Sequence, residues 1–307
     1  KFPVERQQMK KYADHQSSSY DVEHCGWSNL HEDDFIQHED LPYCIGEFVW
    51  TGFDYLGEPT PYYTDWPSHS SLFGIVDMAG IPKDRYYLYR SHWNREKETL
   101  HILPHWNWEG REGEVTPVFV YTNYPSAELF INGKSQGVGT KDISGTVNNS
   151  DSKEFKRQER YRLMLMDTKY EAGTVKVVAY DKNGKVVAEK EIHTAGKPHH
   201  IEMVADRSVI KADGKDLSFV TVKVVDKDGN LCPNAQDLVK FKVNGAGSYR
   251  AGANGNSVSL DLFHEPQMHF FNGMLIAIVQ SSDKAGTITL EASMKGIPKS
   301  NIEIQVK

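Results

Sequence analysis

The sequence predicts a mainly β protein: two immunoglobulin-like β-sandwiches preceded by the C-terminal fragment of a (β/α)8 TIM barrel. Three observations predict it. From about Glu98 onward, apolar and polar residues alternate with a period of two, in short runs separated by turn residues. At Gly196-Lys197-Pro198 the pattern breaks off and then starts again. Before Glu98 the order is loop, helix, apolar run, aromatic loop, helix, as in the last βα units of a barrel. The resulting divisions are residues 1–97, 98–196 and 197–307.

Within the first division, residues 1–31 are polar and aperiodic and read as a long surface loop. Asp33 to Leu41 reads as a short helix with Phe35, Ile36 and Leu41 partly buried, ended by Pro42. Phe48-Val49-Trp50 reads as a buried strand that breaks at Gly52. Pro82-Lys83-Asp84 opens a second helix running to Trp93, with proline at the start and an acid in the first turn. One closing strand cannot make a barrel, which takes about 250 residues.

The two later divisions are built from alternating runs. VTPVFVYTNY, AELFING, RYRLMLMD and GTVKVVAYD fall in the first, and IEMVAD, LSFVTVKVVD, LVKFKVNG, GMLIAIVQS and GTITLEAS in the second. Asn132-Gly133 marks a two-residue hairpin whose turn needs positive φ at both positions. Asp181 to Gly184 and Lys227 to Gly229 supply further turns. Lys141 to Glu159 reads as an excursion between strands, and the Gly-, Asn- and Ser-rich Tyr249 to His269 as a long exposed loop. Met164 and Met166 read as core, whereas Trp106 and Trp108 are expected on one strand face, filling the join between barrel and sandwich.

Composition excludes some classes. The 307 residues leave room for two or three domains, and 39% hydrophobic with 25% charged residues is ordinary globular material. A net charge of −7 argues against a nucleic-acid partner. No apolar run approaches the ~20 residues of a membrane span. The opening Lys1-Phe2-Pro3 has no Met and no signal pattern, so a piece of a longer precursor is expected. Cys25, Cys44 and Cys232 have no metal-type spacing; free thiols are expected, with a Cys25–Cys44 bridge as the alternative. His199-His200 lacks carboxylate or cysteine partners for a metal. Asn148-Asn149-Ser150 matches the glycosylation pattern, which is too short to carry weight.

The chemistry is concentrated in GEFVWTGFDYLGEPTPYYTDWP, Gly46 to Pro67. Aromatic faces beside carboxylates suit a sugar, with rings against its C–H faces and acids accepting from its hydroxyls. The plainer alternative is a packed aromatic core with surface acids. Asp54 is the candidate hydroxyl contact, and Trp66 and His69 are candidates for the entrance. Asp54 and Glu58 share one loop, which rarely places carboxyls on opposite sides of a scissile bond. Glu47 reads as structural.

GEFVWTGFDYLGEPTPYY followed by SSLFGIVDMAGIPKDRYYLYRSHW resembles the closing segment of the catalytic barrel in glycoside hydrolase family 2, nearest its β-galactosidase-like members. The resemblance covers about residues 1–95 by motif and the rest by domain layout. It implies a retaining β-glycosidase acting on a terminal β-galactoside or related oligosaccharide through a glycosyl-enzyme intermediate, with no cofactor and no metal. It places Trp50 at the floor of the sugar pocket and both catalytic glutamates upstream of Lys1, so this chain is expected to hold no catalytic residue and to need the upstream part of the same polypeptide. The setting it implies is bacterial, periplasmic or secreted. A competing class is a non-catalytic immunoglobulin-like carbohydrate-binding or adhesive module. That reading accounts for residues 98–307 but leaves Gly46 to Trp93 without a role.

Overall fold

A computed structural model describes residues 5–148 and 155–307. It separates into two units, Lys1–Val76 with Pro82–Thr194 and Asp77–Ile81 with Ala195–Lys307. Asn149 and Ser150 of the glycosylation pattern lie outside the described residues.

The first unit opens with β1 (Gln7–Gln8) and β2 (Glu23–His24), paired in parallel, then α1 (His31–Asp40) and α2 (Asp84–Trp93). Acids fill the first turn of α1, where they oppose the positive helix end, and Asp33 accepts the Leu30 N–H at 3.1 Å. Phe35 and Ile36 of α1 and Leu88 of α2 are fully buried. There follow β3 (Leu100–Leu103), β4 (Val118–Thr122), β5 (Ser126–Ile131), β6 (Lys134–Thr140), the short α3 (Lys156–Glu159), β7 (Leu163–Leu165), β8 (Thr174–Tyr180) and β9 (Val186–His193). They form a three-stranded sheet, β3-β4-β7, and a four-stranded sheet, β6-β5-β8-β9. At the β5–β6 turn Asn132 and Gly133 have φ of 49° and 77°, as the hairpin signal requires.

Every residue of β4 is buried, because its sheet is covered on both faces. Val118 and Val120 pack with Ile102, Leu163 and Val177 between the two sheets. Phe119 and Tyr121 point the other way, into a second core with Tyr20, Phe35, Ile36, Leu88 and Tyr89, joined by Met164 and Met166. The helices of the barrel portion therefore form a third layer over the sandwich.

Three expectations for this unit are corrected. Of the stretch 1–31, the described residues from 5 onward are not a surface loop: Tyr20, Val22, Cys25 and Leu30 are buried, with the Tyr20 hydroxyl donating to the Pro117 carbonyl at 2.5 Å. Irregular backbone whose polar groups find partners can be buried without any periodicity to announce it. Phe48-Val49-Trp50 is neither a strand nor buried, with Phe48 fully exposed and Trp50 66% exposed. Among the described residues no strand pairs with it; pairing begins at Thr51, whose carbonyl accepts the Ile75 N–H at 3.0 Å. Trp106 does not lie on a strand or fill the join but belongs to the core between the two sheets, its Nε1 donating to the Glu171 carbonyl at 2.9 Å and its ring edge-on to Tyr170.

The second unit contains β10 (His200–Ala205), β11 (Val209–Ile210), β12 (Leu217–Val225), β13 (Leu238–Gly245), β14 (Gly247–Ala253), β15 (Gln267–His269), β16 (Met274–Ser281), β17 (Gly286–Met294) and β18 (Ser300–Val306). Sheets β10-β12-β16-β14 and β11-β18-β17-β13-β15 face each other across Val220, Val222, Val239, Leu275, Ile288 and Leu290. The exposed loop expected from Tyr249 is shorter than its composition implies, since β14 pairs with β16 through Ala253. Gly247 is required there: a Cβ would lie 2.4 Å from the Gln280 carbonyl oxygen, so the residue that weakens strand propensity is the one that lets the strands approach. Cys25, Cys44 and Cys232 are all free thiols.

Candidate functional site

The candidate site is an excursion of the chain in the first unit between Thr51 and Val76. Its base is closed by backbone pairing: Val76 donates to Gly52 at 2.8 Å and Asp54 to Val76 at 2.9 Å, while Gly57 donates to His69 at 2.7 Å across a Leu56–Ser70 bridge. Asp54 fastens this base. One carboxylate oxygen accepts from the Ser71 hydroxyl at 2.8 Å and the Gly74 N–H at 2.7 Å, and the other is ion-paired with Lys83. Gly74 is obligatory, since a Cβ would stand 2.3 Å from the Asp54 nitrogen. Asp54 is thus buried and committed to the loop. Three loop partners already take up this carboxylate, which leaves it little acceptor capacity for the sugar hydroxyl expected there.

Above this clasp stands a row of aromatic rings. The Trp50 indole donates through Nε1 to the Tyr55 hydroxyl at 3.2 Å, and the two rings meet edge to face at 6.0 Å. Tyr55 meets Phe73 in the same way at 6.0 Å, and Phe73 meets Trp27 at 5.0 Å. The Tyr55 hydroxyl in turn donates to Glu58, and that hydrogen bond raises the phenol above its ordinary pKa. Phe73 is buried, whereas Trp50 and Trp27 at the ends of the row present their indoles to the outside.

Trp66 and His69 lie farther along the excursion. Trp66 is 74% exposed, and no ring contact among the described residues joins it to Trp50. His69 is half-buried, with Nδ1 at 2.7 Å from the Pro67 carbonyl oxygen. Tyr55, Phe73 and Trp27 were not singled out from the sequence. Trp27 and Phe73 lie 46 positions apart, so no local spacing signals their contact.

Beneath the site, α1 is held by arginines. Arg157 pairs with Asp33 at 3.0 Å, and Arg160 with Asp40 at 2.9 Å and Glu39 at 2.6 Å. Arg162 is wholly buried and makes four hydrogen bonds, to Glu32 at 2.6 Å, to the carbonyls of Tyr20 and Asp21 at 2.8 and 3.1 Å, and to the Tyr121 hydroxyl at 3.2 Å, with Nη2 also ion-paired with Glu32. Burial pushes the Glu32 carboxyl upward and Arg162 pulls against it. A signal did exist for this contact, in the acidic HEDDFIQHED and the basic FKRQERYR.

Asp21 is the other buried acid of the region, paired with Arg85 at 2.5 Å and 3.4 Å from His31. Burial alone would raise its carboxyl, but Arg85 and His31 overcome this and hold it well below the usual carboxylate range. A lowered folded pKa gives stability that is complete above the unfolded value of about 3.9 and lost as pH falls below it. Denaturant midpoints followed by tryptophan fluorescence should therefore drop as pH falls below about 4, and Asp21→Asn should flatten that slope. All six tryptophans lie in the first unit, so the signal reports that unit alone. An equal slope in both proteins would remove Asp21 from the account.

The sandwiches, the barrel-type portion and the aromatic excursion define C-terminal material of a carbohydrate-active enzyme. Residues 201–303 match glycoside hydrolase family 2 C-terminal domain 5, and residues 113–188 match a domain of unknown function. The chain belongs to glycoside hydrolase family 2, as part of the C-terminal portion of a β-galactosidase-like member. It is 45% identical to beta-galactosidase BoGH2A of Bacteroides ovatus over 94% of its length and 32% of the relative's. It is 36% identical to a putative beta-glucuronidase of Formosa agariphila, covering 71% of this chain and 20% of that one. Its fold matches a beta-glycosidase from Bacteroides vulgatus with a TM-score of 0.81 at 30% identity, covering 94% of this chain and 34% of the other. The chain thus spans between a fifth and a third of the length of these curated relatives.

Proposed function

We propose that these residues are the C-terminal portion of a retaining β-galactosidase, to which they contribute the pocket floor and accessory sandwiches. The observation that carries the reading is the exposed Trp50 indole, held edge-on by Tyr55 above a buried clasp. A flat apolar ring fixed at a surface offers a sugar its stacking face with little conformational entropy to lose. Retention needs two carboxyls about 5–5.5 Å apart, one attacking the anomeric carbon and one serving as acid and then base. Asp54 is committed to Ser71, Gly74 and Lys83, and Glu58 to Tyr55, so neither is offered as half of that pair. In this proposal both catalytic carboxyls are glutamates upstream of Lys1, and the upstream polypeptide completes the barrel. The galactosidase relative supports a galactoside over the glucuronide named for the other. The buried Trp106 supports structural sandwiches over an adhesive module.

The test compares two preparations on an aryl β-galactoside. The 307-residue chain should give only the buffer rate, and the full-length polypeptide should turn over. Activity in the short chain that disappears in Glu58→Gln would show that the carboxylates are misassigned here. Inactivity of the full-length protein would sink the reading itself.

A further inference from the structure

The surroundings of the Trp50 indole also bear on which sugars it accepts. Its Nε1 donates to Tyr55, and Tyr55 donates to Glu58, so a carboxylate sits two hydrogen bonds from the indole edge. Glu58 is exposed and takes no part in the buried clasp. The cations of the same region are turned elsewhere: Lys83 is ion-paired with Asp54, Arg85 with Asp21, and Lys11 with Asp65 at 2.8 Å.

We propose that Tyr55 and Glu58 are positioning residues for Trp50, and that the Glu58 charge makes this site select uncharged glycosides against uronides. The inference rests on the reading of Trp50 as a sugar platform. Tyr55 supplies two restraints at once, its hydroxyl fixing the indole N–H and its ring, backed by Phe73, fixing the tilt. By taking the phenol proton in a hydrogen bond, Glu58 makes the Tyr55 oxygen a better acceptor for the indole N–H. A neutral hexose stacked on Trp50 can donate a hydroxyl proton toward that carboxylate. A uronate brings a second negative charge near that carboxylate, where Lys83, Arg85 and Lys11 are already paired with other acids, and like charges at such range repel by about the energy of a tenfold change in binding.

Two measurements separate the parts. In indole 15N–1H spectra of the 307-residue chain, the Trp50 resonance is the one lost in Trp50→Phe. Tyr55→Phe should shift it and speed its solvent exchange, while the buried Trp106 resonance stays in place as a reporter of the fold. A Trp50 resonance indifferent to Tyr55→Phe overturns the positioning role. In the full-length enzyme, Glu58→Gln keeps an acceptor for Tyr55 but removes the charge. It should raise the ratio of kcat/KM for an aryl β-glucuronide to that for the β-galactoside by about tenfold or more. An unchanged ratio overturns the selectivity, and a wild-type enzyme preferring the glucuronide overturns it as well. A wild-type enzyme inactive on both removes the platform reading on which selectivity stands, whereas the spectra judge the positioning independently.

Discussion

Arg162→Met should destabilise the first unit by about 3–5 kcal/mol, the range for breaking a buried ion pair from one side. The guanidinium is wholly enclosed and hydrogen-bonded to four acceptors, so its loss strands Glu32 together with two backbone carbonyls and a phenol. A carboxylate left in apolar surroundings either stays charged at high cost or takes up a proton. The fluorescence-detected denaturation midpoint should therefore fall sharply, and a second substitution, Glu32→Met, should recover part of the loss by removing the orphaned charge. Recovery is expected because two buried charges replaced by apolar groups of similar size often break even. A change below about 1 kcal/mol would place the pair among those worth little, as at an open surface.

The second large effect is on catalysis. In the full-length enzyme, Trp50→Ala should lower kcat/KM for an aryl β-galactoside about a hundredfold, the scale on which losing an anchoring aromatic or misplacing a substrate by ~1 Å operates. Stability should barely move, since the indole is 66% exposed and, among the described residues, its ring contact is with Tyr55. That contrast makes the test informative: Arg162→Met costs stability, Trp50→Ala costs turnover. Unchanged kinetics in Trp50→Ala would take the residue out of the site. Trp66→Ala should do less, because Trp66 has no ring contact with the row among the described residues.

What was legible in the sequence follows from what periodicity encodes. Strands such as β12 and β17 alternate because one face meets a core and the other does not, and their pattern is visible in the residues themselves. The Asn132-Gly133 turn is legible because only certain residues tolerate its backbone. Trp50 stands out through its aromatic surroundings, yet its expected strand is missing, since a strand is a relation between two segments and not a property of one. The anchoring of Asp54 was not legible for a related reason: Ser71, Gly74 and Lys83, which hold it, lie 17 to 29 positions away. The same holds for Tyr20, Val22, Cys25 and Leu30, buried by partners that no local spacing reveals.

The three-stranded sheet β3-β4-β7 carries apolar side chains on both faces, and this sets where the gene can be cut. A division at residue 97, which looks natural by composition, would split a layer from its own lining: Phe119 and Tyr121 would be left bare on one product, and Phe35, Ile36 and Leu88 on the other. Neither product would be a portable module, and each would carry a sticky apolar face prone to self-association. A block that keeps α1, α2 and this sheet together keeps that core whole. The first sandwich is accordingly not an appendage of the barrel portion that shuffling can trade, whereas the break between Thr194 and Ala195 leaves the cores on either side intact.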